Sequence, residues 1–121
     1  MSMDERGLRG WLGEFYDELD EQQRGMLVEV SGMVEARWAD PDEADARQEA
    51  MSGASMVLFG DETDRSLADQ AAEAMYAMYA AQARLAGAIM VTTLADPDES
   101  EAAMARRLGV HRDTVRKARG K

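Results

Sequence analysis

Residues 101–120, EAAMARRLGVHRDTVRKARG, decide how this chain is read. They predict two short helices joined by a tight turn, over residues 97–107 and 112–119. Ala105 is small where the two helices would cross. Gly109 is free to adopt the left-handed backbone that ends the first helix. Val110 and Val115 then pin the second helix to the first, with Leu108 expected to face the core behind them.

Taken to the last residue, this segment carries Arg106, Arg107, Arg112, Arg116, Lys117, Arg119 and Lys121 against only Glu101 and Asp113, a net charge of +5. The preceding hundred residues hold seven basic and twenty-two acidic side chains, net −15, which brings the chain to −10. Cations near a helix C-terminus are favoured in any protein, but that accounts for one or two charges, not seven. Overall acidity does not exclude a polyanionic partner, because only the local patch would meet phosphates.

On Ala105, Leu108, Gly109, Val110 and Val115, with this polar filling, the segment resembles the helix-turn-helix of Cro-type repressors, of sigma-factor promoter-reading domains and of the DNA-binding tails of serine recombinases. The resemblance covers about a sixth of the chain, or about a third with the preceding helix. It implies that the first helix lies across the DNA backbone, with Arg106 and Arg107 reaching phosphates. It also implies that the second helix offers Arg112, Asp113, Arg116 and Lys117 to the major groove. Arginine pairs bidentately with guanine, and a carboxylate accepts from cytosine N4. Thr114 would meet a phosphate or pack, and Arg119 and Lys121 would trail along the backbone. The one histidine, His111, falls at the turn as a cap or a DNA contact.

Catalysis finds little support in the remaining residues. No serine, histidine and aspartate stand at a recognisable spacing. Acid pairs such as Asp17/Glu18 and Asp42/Glu43 read as solvated faces and helix starts, and the glycines Gly7, Gly10 and Gly13 occur singly, without a phosphate-cradling loop. The chain is therefore expected not to be an enzyme and to need no cofactor or metal. Absence of cysteine excludes disulfides and thiolate metal sites and fits a reducing cytoplasm. The opening MSMDERGLRG mixes two acids with two arginines and is expected not to be a basic-then-apolar leader. Arginine outnumbers lysine twelve to two and asparagine is absent, which points to a GC-rich genome. Ala74 to Ala95 is nearly uncharged, but Arg84 lies near its centre, at a cost of at least about 2.5 kcal/mol in a bilayer. A buried or dimer-forming helix is the better reading, and no membrane partner is expected.

Helix starts punctuate the chain. The phrase Ala-Asp-Pro-Asp-Glu occurs twice, at residues 39–43 and 95–99. Each time Asp is placed to cap, Pro to occupy the first helical position and Glu to close a capping box. A third start is expected at Thr63-Asp64. The resulting helices span residues 5–19, 21–39, from 41 onward with a weak point at Ser52-Gly53, and 64–94. Their inward stripes are expected to be Leu8, Trp11, Leu12, Phe15, Tyr16 and Leu19; then Met26, Leu27, Val30, Met33, Val34 and Trp38; then Ala44, Met51, Ala54, Val57 and Leu58. Strand-like alternation is missing, so the fold class is all-α: a helical bundle with a long central helix, followed by the C-terminal pair.

The helix over 64–94 is apolar on two faces. Ala71, Met75, Met78, Gln82, Leu85 and Ile89 step like a coiled-coil seam, while Tyr76, Tyr79, Ala83, Ala86 and Met90 mark the opposite side. The N-terminal helices are expected to cover one face and a second copy of the chain the other. The expected division is therefore residues 1–84 for dimerisation or partner binding and 85–121 for double-stranded DNA. The resulting expectation is a small cytoplasmic, homodimeric transcriptional regulator. Two alternatives stand beside it: a phage or plasmid DNA-handling protein for packaging, partition or recombination, and an acidic helical adaptor for a protein partner with a basic tail.

Overall fold

A computed structural model describes residues 3–120. It is all-helical, with six α-helices and no strand among the described residues: α1 (Glu5–Leu12), α2 (Glu21–Arg37), α3 (Ala44–Leu58), α4 (Asp64–Ala95), α5 (Glu101–Leu108) and α6 (Arg112–Ala118). The chain divides into two compact units, Met1–Asp69 and Gln70–Lys121, the division falling within α4.

In the first unit, Asp4 caps α1 by accepting from the Gly7 N–H, and Gly13 ends it with φ 58° and ψ −127°, a conformation open essentially to glycine. The expected single helix over 5–19 is thereby cut. Residues Gly13–Glu18 continue as a 3₁₀ turn, and this carries Tyr16 and Leu19 inward. Asp20 and Gln23 form a reciprocal capping box that starts α2. Asp40 and Glu43 form another around the short 3₁₀ turn Pro41–Glu43 that leads into α3. Ser52-Gly53 does not interrupt α3, which runs unbroken to Leu58.

Leu8, Leu12, Tyr16, Leu19, Leu27, Val34 and Met51 make the core of this unit. Each fully buried leucine contributes roughly 1.5–3 kcal/mol. Several residues expected inside are outside: Trp11, Phe15, Met26, Met33 and Val57 are exposed, and so is Ala44. Breaking the first helix at Gly13 changes the register of Phe15. On α2 the buried side narrows to Leu27, Ser31 and Val34, so Met26 and Met33 fall beyond its edges. Buried Ser31 accepts from the Met3 N–H at 2.9 Å and donates within α2 to the Val28 carbonyl at 2.8 Å.

Four of the six arginines of this unit are spent on rings and carbonyls. Arg9 and Arg24 stack on Tyr16, with guanidinium carbons 4.7 and 4.5 Å from the ring centroid. Arg37 stacks on Trp38, and Arg47 donates to the Trp38 and Asp40 carbonyls. The Tyr16 hydroxyl donates to Glu5 at 2.7 Å, which together with burial raises its pKa above the ordinary tyrosine value.

In the second unit the core is Ile89, Met104, Ala105, Val115 and Ala118, with Leu85, Ala86 and Val110 packed at its margin. Leu108 is corrected here: at 37% exposure it does not back the turn, and Met104, fully buried one helical turn earlier, takes that place. Leu85 is likewise packed with this core rather than free on an open seam. Every residue from 68 to 79 is exposed, including Met75, Tyr76, Met78 and Tyr79. No helix among the described residues is long and apolar enough to cross a membrane.

Candidate nucleic-acid interface

The C-terminal helical pair is built from local signals. Ser100 caps α5 by accepting from the Ala103 N–H. At its other end, Gly109 adopts φ 69° and ψ 32°, left-handed backbone, and the Gly109 and Val110 N–H groups both donate to the Ala105 carbonyl. Three residues, Gly109 to His111, join the two helices. His111 then caps α6: its Nδ1 accepts from the Asp113 N–H at 3.1 Å, which requires that nitrogen to carry no proton. Buried Ala105, Val115 and Ala118 let the two short helices pack closely.

The second Ala-Asp-Pro-Asp-Glu phrase behaves differently from the first. Residues 96–99 form a turn, not the first turn of a helix, and α5 begins at Glu101 rather than at Pro97. Released from capping, Glu99 takes a bidentate ion pair with Arg107, at 3.0 Å to Nε and 2.8 Å to Nη2. The Arg107 hydrogen bond, the largest influence on Glu99, holds its carboxyl below the usual carboxylate range, and the same bond raises Arg107. Arg119 is also bound inward, donating from Nε to the Thr93 hydroxyl at 3.1 Å and from Nη2 to the Glu99 carbonyl at 2.8 Å.

Glu101 has a separate role. It lies at the start of α5 with its side chain only 16% exposed, and one of its oxygens meets Nε of Arg116 at 3.2 Å and Nε of Arg112 at 3.5 Å. Burial pushes its carboxyl up, but the hydrogen bonds and charges of Arg116 and Arg112 together outweigh this and hold it below the usual range. Because the carboxylate engages Nε, the terminal amino groups of Arg112 and Arg116 have no partner among the described residues and remain available as donor forks.

The sequence-expected residues therefore fall into three groups. Arg112 and Arg116 are anchored at Nε with their outer nitrogens available. Arg106, Asp113, Thr114, Lys117 and His111 are exposed, and neither Arg106 nor Lys117 has an ion-pair partner among the described residues. Arg107 and Arg119 are engaged through two nitrogens each within the unit. Lys121 lies outside the described residues.

Sequence reasoning did not single out Glu99, Glu101 or Thr93 as partners of these arginines. Their partners lie eight to twenty-six positions away, beyond the reach of any i,i+4 pattern, and Glu99 was concealed inside a capping phrase. Comparison with family models, curated proteins and solved structures found no match.

Proposed function

We propose that the C-terminal pair is a helix-turn-helix that binds double-stranded DNA sequence-specifically, within a small dimeric transcriptional regulator. The observation that carries this reading is the exposed guanidinium pair, Arg112 and Arg116, anchored at Nε by Glu101 on a helix entered through the left-handed turn at Gly109. A second helix set at such a turn suits a major groove, where an arginine's terminal amino groups pair with guanine O6 and N7. Arg106 and Lys117 supply phosphate contacts. Arg107 and Arg119 serve mainly to hold the pair against the end of α4.

A second copy of the chain covers α4 in this reading. Residues 68–79 expose apolar side chains all around a helix, an arrangement that is stable when surrounded. Two copies would also read half-sites about 34 Å apart. Met78, exposed, is a seam position; Leu85, packed with the C-terminal core, is not.

Selection from a random duplex library, followed by footprinting, tests the reading. Arg116→Ala is expected to relax specificity at one base pair and cost roughly 1–3 kcal/mol. Arg106→Ala should weaken all sequences alike and shallow the salt dependence. Equal, sequence-independent losses for both would overturn direct readout. Sedimentation should give twice the 13.3 kDa chain mass, reduced to monomer by Met78→Glu. A 13.3 kDa monomer that still protects a palindrome would overturn the dimer.

A further inference from the structure

The first unit carries an open groove of about 730 Å³ that DNA binding does not use. Trp11, Phe15, Met56 and Phe59 line it, and so do Glu18 and Asp61. These are large apolar side chains left in water: Trp11 is 39% exposed, Phe15 52% and Met56 40%. Phe15 and Phe59 meet edge to face at 6.2 Å, which holds the aromatic wall in place. Exposed aromatics clustered in a concavity mark an interaction site rather than chance surface.

Charge identifies the occupant. Residues 1–69 hold eighteen acidic and six basic side chains, net −12. None of the six arginines lines the groove, and five are committed elsewhere: Arg9, Arg24 and Arg37 to rings, Arg47 to carbonyls and Arg65 to Asp69. The Glu18 and Asp61 carboxylates have no ion-pair partner among the described residues. Aromatic faces beside unpaired carboxylates bind a group that is apolar and cationic together. A field of −12 over one small unit steers basic macromolecules and repels anionic membranes. The groove is flanked by helical elements, as in sites that receive a helix.

We propose that this groove docks a basic amphipathic helix of a partner protein, its apolar stripe against Trp11, Phe15 and Phe59 and its Lys or Arg residues on Glu18 and Asp61. The site lies wholly within the first unit, so it stands or falls separately from DNA binding by the second.

The probe is a dye-labelled synthetic helix of leucine and lysine, about eighteen residues long with the leucines in one stripe, titrated against the full chain by anisotropy. Saturable one-to-one binding is expected. The double variant Glu18→Gln/Asp61→Asn should weaken it about tenfold, and Phe15→Ser at least as much. Glu29→Gln/Glu49→Gln, the same charge change at exposed residues outside the groove, should leave it within about twofold. Circular dichroism of each variant checks that the helices persist.

Equal weakening by the two double variants would overturn the proposal in favour of bulk attraction. Absence of binding, or equal binding of a leucine–glutamate counterpart, would also overturn it. So would groove-dependent binding of tetrabutylammonium without the peptide, which would make the occupant a small cation. DNA affinity of the groove variants should equal that of the parent chain.

Discussion

The two units use arginine in opposite ways. In residues 1–69, where acids outnumber bases eighteen to six, four of the six arginines lie flat on Tyr16 and Trp38 or reach backbone carbonyls, and most carboxylates stay in water. In residues 70–121, six acids face eight bases, and Glu99 and Glu101 between them engage four arginines, Arg119 through the Glu99 carbonyl. The scarcer charge organises each unit. Two of the six acids of the second unit, Glu99 and Glu101, become partly enclosed and paired, whereas the abundant acids of the first act as a solvated field.

The comparison breaks most severely at the cores. Leu27→Ala removes a fully buried side chain and should cost the first unit about 2–5 kcal/mol. Amide exchange is expected to accelerate across α1 to α3 and to change little in α5 and α6. Met104→Ala should do the reverse. Uniform acceleration in both variants would show that the two units open as one.

The turn gives the next largest effect. A Cβ on Gly109 meets no atom within 4 Å, so substitution there is opposed by the φ of 69° alone. Gly109→Val should therefore cost the second unit at least about 1–2 kcal/mol and abolish the proposed DNA binding, with the first unit folded. Gly109→Asn, whose side chain tolerates left-handed backbone, should retain most of both. Equal damage from the two would point to packing rather than backbone conformation.

The capping residues sharpen the contrast further. Ser100→Ala removes the cap of α5 and should lower the stability of the second unit by about 1 kcal/mol. Asp40→Ala removes the cap of a three-residue 3₁₀ turn and should cost less. Thermal melts of the two variants test the order.

Acid should separate the units most gently. Glu99 and Glu101 are held below their ordinary values in the folded chain. Their contribution is therefore complete above the unfolded carboxylate value, near about 4.3, and is lost as pH falls through the depressed folded values. Melting of the second unit should decline below about pH 4, and Glu99→Gln/Glu101→Gln should flatten that decline. An unchanged acid profile in the double variant would place the sensitivity in other groups.

Much of this architecture was legible in the chain. All-α character, the starts of α2 and α4, the turn at Gly109 and the capping position of His111 follow from short-range chemistry. What was not legible depends on competition. Residues 39–43 and 95–99 are the same five letters, yet only the first closes a capping box. Ser100, immediately after the second phrase, offers a rival cap, and Arg107 draws Glu99 away. Likewise, nothing periodic marks Glu101 as the anchor of Arg112 and Arg116, because packing of α5 on α6 creates that proximity. Trp11 and Phe15 read as core for the same reason: an apolar stripe does not reveal which of its members a neighbouring helix will reach.

The exposed stretch of α4 also makes the chain a chemical recorder. Met75 and Met78 lie open to water there, whereas Met104 is sealed and Met51 nearly so. Brief treatment with peroxide should convert the first two to sulfoxides well before the latter pair. Each sulfoxide replaces an apolar thioether by a polar group on the surface that a second copy would cover. Oxidant exposure would then leave a reversible mark on assembly while Met104, inside the C-terminal helical pair, stays protected.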